Sequence, residues 1–365
     1  MGGIVQAGSN FEESERGMQF SFRWYGPEDP VTLEQIRQIP GVTGIVADLF
    51  KIPVGAPWPL TDLEALKKAV TGAGLKLTAI ESIPVHEEIK LGLPSRDKWI
   101  ARYIESVTNV GKAGIPVVTY NFMPVFDWFR SDLNYPHPDG ATSLAYQEST
   151  VAGIDPSVLC ERQMPAWAGD TSPEQLKALM AAYQRIDSER LWQHLAYFLK
   201  RVVPAAEAAG VKLALHPDDP PWPLFGLPRI IVNAEALARV LEFVDSPANG
   251  LALCSGSLGA GRDNDIPAMI RRFGPRIHFA HVRNVRHLGP ERDFIEAPHP
   301  SQCGSLDMFA IMKAYHDVGF KGVVRPDHGR MIWGEQGKPG YGLYDRALGA
   351  TYLMGLWEAM ERQSA

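Results

Sequence analysis

The chain has 365 residues, 45% of them hydrophobic and 21% charged, and a net charge of −6 with no long run of one sign. This is the composition of a globular protein with a large core, and it excludes the basic surface of a nucleic-acid binder. No segment approaches the roughly 18 uninterrupted apolar residues of a membrane span, and Cys160, Cys254 and Cys303 are too few and too scattered for a disulfide framework.

Residues 1–17 lack the apolar core of a signal peptide and are expected to be a disordered lead-in to one cytoplasmic domain, 18–365. From there short β-rich apolar runs alternate with amphipathic helical stretches. The runs are 19–24, 44–49, 76–81, 116–121, 212–216, 250–254, 277–282 and 322–326. Eight of them, separated by helices, predict an α/β fold, a (β/α)8 TIM barrel. Between the second and third runs, LTDLEALKKAVTGAG sets Leu63, Leu66, Ala69 and Val70 at helical spacing and stops at Gly72 and Gly74. After the third, SRDKWIARYIESVTNVGKAG opens with Ser95 as N-cap and closes at Gly111 and Gly114. The ending Ala-Gly plus an apolar run occurs three times (AGLKLTAI, AGIPVVTY, AGVKLALH), as a repeated helix-to-strand turn would.

The spacing breaks after the fourth run. Residues 122–188 are rich in Pro, Asp and Gly and too long for an ordinary βα loop. They predict an insertion at the C-terminal end of the fourth strand, the face on which barrels bind substrates. Its Trp128, Phe129, Tyr135 and Trp167 suit a lid or a dimer contact.

The last four runs each end in a side chain with metal-ligand chemistry: His216 in KLALHPDDP, Cys254 in GLALCSGSLG, His281 in IHFAHVRN and Asp327 in GVVRPDHGR. Strand ends of adjacent barrel strands converge on one axial site. A thiolate, two imidazoles and a carboxylate suit Mn²⁺, Fe²⁺, Co²⁺ or Zn²⁺ rather than Ca²⁺, and leave positions open for substrate oxygens. Taken singly, each is more often a hydrogen-bonded histidine or a buried thiol; the succession over four strands is what points to a metal. A second group, Arg23 with Trp24, His86 and Lys90, Arg283 with Asn284, Arg325, His328, Arg330 and Tyr341, falls at or beyond strand ends and suits an anionic, hydroxyl-rich substrate. For Lys90 and Arg330 a surface ion pair is the competing reading.

Long blocks, among them FRWYGPEDPVTLEQIRQIPGVTGIV, ESIPVHEEIKLGLPSRD, LHPDDPPWPLFGLPRI, LCSGSLG, RPDHGRMIWGE and PGYGLYDRALGATYLMGLWEA, resemble the mannonate dehydratase family from about Met18 to the C-terminus. The resemblance implies conversion of D-mannonate to 2-dehydro-3-deoxy-D-gluconate and water in hexuronate catabolism, on a xylose-isomerase-like barrel, in a homodimer. It implies Mn²⁺ or Fe²⁺ held by His216, Cys254, His281 and Asp327. Three departures stand out: Asp48 in ADLF, where a smaller uncharged pattern is expected and where it bears on the substrate's distal hydroxyls; Ser255 in place of Thr; and Cys303, read as incidental.

Dehydration needs a base at C2 and an acid at the departing C3 hydroxyl. His328, next to Asp327, is expected to be the acid and Tyr341 the base, with Arg325 or Arg283 favouring its phenolate; the reverse assignment, and Tyr344 in place of Tyr341, stay open. Arg23, Trp24, His86, Arg283 and Asn284 are the expected substrate contacts. Rival readings are a dehydratase of a related aldonic acid such as D-gluconate, a sugar isomerase of the same barrel type, disfavoured by the Cys ligand and the scarcity of carboxylates, and a non-catalytic sugar-binding barrel.

Overall fold

The computed structural model describes residues 17–49, 51–156, 159 and 172–364; the expected lead-in and Trp167 lie outside them, apart from Gly17. Its strands are β1 (Gln19–Arg23), β2 (Gly44–Ala47), β3 (Lys76–Glu81), β4 (Val117–Tyr120), β5 (Asp132–Pro136), β6 (Thr142–Tyr146), β7 (Lys212–Leu215), β8 (Asn249–Cys254), β9 (Ile277–His281), β10 (Asn284–His287), β11 (Phe294–Ala297) and β12 (Val323–Arg325). Eight close a parallel barrel in the order β1-β12-β9-β8-β7-β4-β3-β2. Each of the eight predicted runs supplies one of them.

These strands read as continuous apolar runs because both faces are covered. The inward residues are small, Val46, Ala79, Val117, Ala214, Ala252 and Val323, around the single ring of Phe279. Outside, helix Ser188–Ala208 presents Leu191, Leu195, Phe198, Leu199, Val202 and Ala206, all buried, at i, i+4, i+7 spacing against the sheet. Asp187 caps it by accepting the Arg190 N–H. The three Ala-Gly endings are helix stops: Ala73, Ala113 and Ala209 are the C-caps, and Gly74, Gly114 and Gly210 follow with φ of +77°, +70° and +69°. Only glycine enters that region without strain. Gly111 is helical instead, and a Cβ there would lie 2.4 Å from the Ala209 carbonyl oxygen. Ser95 occupies the N-cap position but caps nothing; its hydroxyl donates to Glu88.

The 122–188 stretch contains hairpin β5–β6, helix Glu148–Ala152 and helix Pro173–Tyr183. No local pattern announces that β6 pairs with β11, in a second excursion that follows β9. The result is an antiparallel sheet, β10-β11-β6-β5, built from chain leaving the C-terminal ends of β4 and β9. Residues 142 and 331 bridge this sheet to the loop after β12. A second apolar core with Phe126, Phe129, Tyr146, Leu176, Trp222 and Phe294 lies beneath it.

Candidate active site

His216 follows β7, Cys254 and His281 end β8 and β9, and Asp327 lies two residues past β12. The ligand atoms of His216, Cys254 and His281 lie within 4.8 Å of one another. His216 Nε2 is 3.0 Å from His281 Nδ1, and Asp327 Oδ2 is 3.5 Å from His281 Nδ1 and 3.8 Å from Cys254 Sγ. Metal–nitrogen bonds of about 2.0–2.1 Å put two imidazole nitrogens about 3 Å apart when they sit side by side on one ion. The outer nitrogens have partners of their own. His216 Nδ1 lies 2.7 Å from the Pro217 carbonyl oxygen and His281 Nε2 lies 2.8 Å from Glu81 Oε1. That leaves His216 Nε2 and His281 Nδ1 facing inward, as metal-ligating histidines require.

Electrostatics favour a cation here. Beneath the cluster Arg130, Arg283 and Arg325 face Asp219, Glu296, Asp327 and Glu81, all buried or nearly so. Burial would raise the Cys254 thiol, but the Arg283 charge and hydrogen bonds with His216 and His281 hold it well below the usual thiol range. Ser257 donates to the sulfur from its backbone N–H at 3.3 Å and its hydroxyl at 3.0 Å. With the histidines neutral, as ligation requires, three guanidiniums against four carboxylates and a thiolate leave two negative charges, the complement of a divalent ion. The same field lifts His216 to about 9, burial being outweighed by Cys254, Asp327 and Asp219. The donor set therefore fits a borderline divalent metal.

Arg283, expected to contact substrate, is fully buried with every N–H taken. Nε donates to Asp327 at 2.7 Å, Nη1 to both Glu296 oxygens at 2.8 and 2.7 Å, and Nη2 to Asp219 at 2.7 Å and Ser257 at 3.1 Å. A guanidinium has five N–H groups, so none is left for a substrate carboxylate. Asn284 is likewise buried, with its amide on the His299 and Pro300 carbonyls and its oxygen accepting the Leu306 N–H. His86 caps helix Glu87–Lys90 and stacks on Trp99 at 3.8 Å; none of these contacts reaches the four ligand positions. Lys90 is paired with Glu87 at 2.6 Å and donates to the Met123 carbonyl. Arg330 bridges Asp139 and Asp345. Trp24 is buried beside Arg23, which pairs with Asp48 at 2.6 Å.

Arg325 grips Glu81 through Nε and Nη2, both at 2.8 Å, and its Nη2 also lies 2.9 Å from Asp327. His328 sits between two partners: Nδ1 is 3.1 Å from Glu296 Oε1 and Nε2 is 2.9 Å from the Tyr341 hydroxyl. Trp128, from the insertion, covers this pair with its ring 4.8 Å from that of His328. Burial, with Tyr25 and Asp327 nearby, pushes the Tyr341 hydroxyl well above its ordinary range in spite of Arg325. Tyr344 is 40% exposed and packs on Trp333 at the surface. Glu81, Arg130, Asp219 and Glu296 escaped the sequence reading. Glu81 ends an apolar run just as the presumed ligands do, and Glu296 is a lone charge inside the buried run Phe294–Ala297, so both carried a usable signal.

The profile of the family described as D-mannonate dehydratase (UxuA) matches residues 18–365. The chain is 56% identical over 356 residues to a mannonate dehydratase of Thermotoga neapolitana, a match spanning 94% of this chain and 98% of that protein. It superposes on the crystal structure of mannonate dehydratase from Streptococcus suis serotype 2 with a TM-score of 0.89 at 52% identity, covering 95% of this chain and 96% of that one. A xylose isomerase domain protein from Planctomyces limnophilus, 14% identical with a TM-score of 0.55 over 95% of this chain and 99% of that one, shares the fold.

Proposed function

The chain belongs to the D-mannonate dehydratase family, and we propose that the side chains gathered at its barrel mouth convert D-mannonate to 2-dehydro-3-deoxy-D-gluconate and water. It is a hydro-lyase. The observation that carries the residue assignment is the convergence of His216, Cys254 and His281 with Asp327, beside a paired His328 and Tyr341. The four would hold Mn²⁺ or Fe²⁺, both matched to a mixed nitrogen, sulfur and oxygen set. When bound, the ion supplies Lewis-acid stabilisation of the charge that develops on the substrate carboxylate.

Proton transfer falls to the protein. Glu296 faces His328 Nδ1, so that nitrogen carries the proton and Nε2 is left as an acceptor. Tyr341 is held neutral by burial, which suits a donor and not a phenolate base. We therefore assign His328 to accept the C2 proton and Tyr341 to protonate the departing C3 hydroxyl, the reverse of the first expectation. The cycle closes when His328 returns its proton to Tyr341 across their 2.9 Å contact. Arg283 and Glu296 position these groups without touching substrate. His328→Asn and Tyr341→Phe should each lower kcat on the order of 10²–10⁴-fold with metal still bound; near-wild-type 2-keto acid production by both would sink the assignment.

Among the described residues no helix is long and apolar enough to cross a membrane. A buried thiol that must stay reduced supports a cytoplasmic setting, and the substrate a role in hexuronate catabolism. Exposed Trp333, Tyr344 and Leu348 support pairing of two copies.

A further inference from the structure

The barrel order places β2 diametrically opposite β8. Cys254 ends β8, with His281 on the neighbouring β9 and His216 just past β7 on the other side. Three of the four presumed ligands thus lie on the β7–β9 side, with Asp327 past β12 completing the set, and a chain-like acid held by its carboxylate end on that side has room for its other end across the mouth, toward β1 and β2. Asp48 stands there, directly after β2.

Its surroundings are built. Oδ2 accepts from Arg23 Nη2 at 2.6 Å, while Arg23 Nη1 donates to the Trp24 and Val46 carbonyls at 3.1 and 3.4 Å, which fixes the pair in place. Lys338 lies on the same side, its Nζ 4.0 Å from the centre of the Tyr25 ring, over which Arg23 also sits at 4.3 Å. Asp48 Oδ1 is buried and has no hydrogen-bond partner among the described residues, and Arg325 Nη1, on the metal side, is in the same condition. A buried polar atom without a partner is costly, and at a site mouth its natural partner is a ligand. The two atoms differ in kind. A guanidinium N–H next to Asp327 suits an anionic or oxygen-rich end, whereas a carboxylate oxygen accepts from a hydroxyl and repels an anion.

We propose that Asp48 is a specificity-determining residue: its free Oδ1 accepts a hydrogen bond from a hydroxyl at the C5–C6 end of the substrate, and its charge rejects acids carrying a second carboxylate there. The inference rests on the reading above, in which an aldonic acid is held by its carboxylate end at the metal side. Asp48 thereby also sets the direction in which the substrate lies, since a reversed acid would bring its carboxylate against a carboxylate.

The test uses the metal-loaded full chain and two probes, D-mannonate as substrate and D-mannarate, its 1,6-dicarboxylate, as competitive inhibitor. The wild type should bind D-mannarate at least about 10-fold more weakly than D-mannonate. In Asp48→Asn, kcat/KM for D-mannonate should fall on the order of 10–100-fold, while D-mannarate should bind more tightly, because Arg23 and Lys338 lose their carboxylate. Asp48→Glu, which keeps the charge, should still reject the dicarboxylate. Movement in opposite directions is a pattern that general damage to the site does not give. Equal affinity of the wild type for both acids overturns the proposal, as does an Asn variant that weakens both together or changes neither. A wild type that makes no 2-keto acid from D-mannonate overturns the functional reading instead, a result visible before any variant is made.

Discussion

Glu296 lies at the junction of charge and chemistry. Its Oε1 accepts from Arg130 Nη2 at 2.7 Å and Arg283 Nη1 at 2.8 Å and lies 3.1 Å from His328 Nδ1. Burial alone would raise this carboxyl; Arg283, Arg130 and His328 hold it down, at about 2. With a folded value below the unfolded one of about 4.3, its contribution to stability is complete above that pH and is lost as the pH falls toward about 2. The wild type should therefore lose unfolding free energy across that window, and Glu296→Gln should lose less of it. At neutral pH the variant leaves two buried guanidiniums short of a partner, which costs about 3–5 kcal/mol by denaturant unfolding. It should also lower kcat, since His328 loses the group that fixes its ring. A stability profile for the wild type that stays flat from neutral pH down to about 2 would contradict this account of the network.

At the scale of elements, the glycines that end helices separate backbone conformation from packing. Gly210 follows helix Ser188–Ala208 at φ +69° with nothing within 4 Å of a built Cβ, so Gly210→Ala should destabilise by about 1 kcal/mol through the left-handed backbone alone. Gly72 is the last residue of helix Leu60–Gly72, equally free of neighbours but without a positive φ. There Gly→Ala should stabilise by about 0.5–1 kcal/mol. Opposite signs in unfolding midpoints are the check, and equal signs would mean that the turn is not as described. These turns were legible because they recur. The barrel strands were legible because burial on both faces writes an unbroken apolar run, as in VVTY and NGLALC. Strands such as DLNYP and NVRH carry no comparable pattern. They exist because β6 pairs with β11, about 150 residues further on, and nothing local records that pairing.

For the molecule as a whole, the barrel gathers the four ligand-bearing strand ends, of β7, β8, β9 and β12, at one face, and chain leaving β4 and β9 at that face forms the antiparallel sheet. The presumed ligands could be read from strand-end position and residue type. The partners of Arg283 and Asn284 could not, because they come from other elements: Glu296 from β11 and Asp219 from beyond β7 take up Arg283, and backbone carbonyls take up Asn284. The metal assignment joins fold to function and is tested most directly by stripping the protein with a chelator, then adding back Mn²⁺ while following both bound ion and 2-keto acid formed from D-mannonate. A single ion per chain is expected, with product only when that ion is present and loss of both in Cys254→Ala. Product formed at an undiminished rate by the ion-free protein, or ion uptake unchanged in Cys254→Ala, would contradict it.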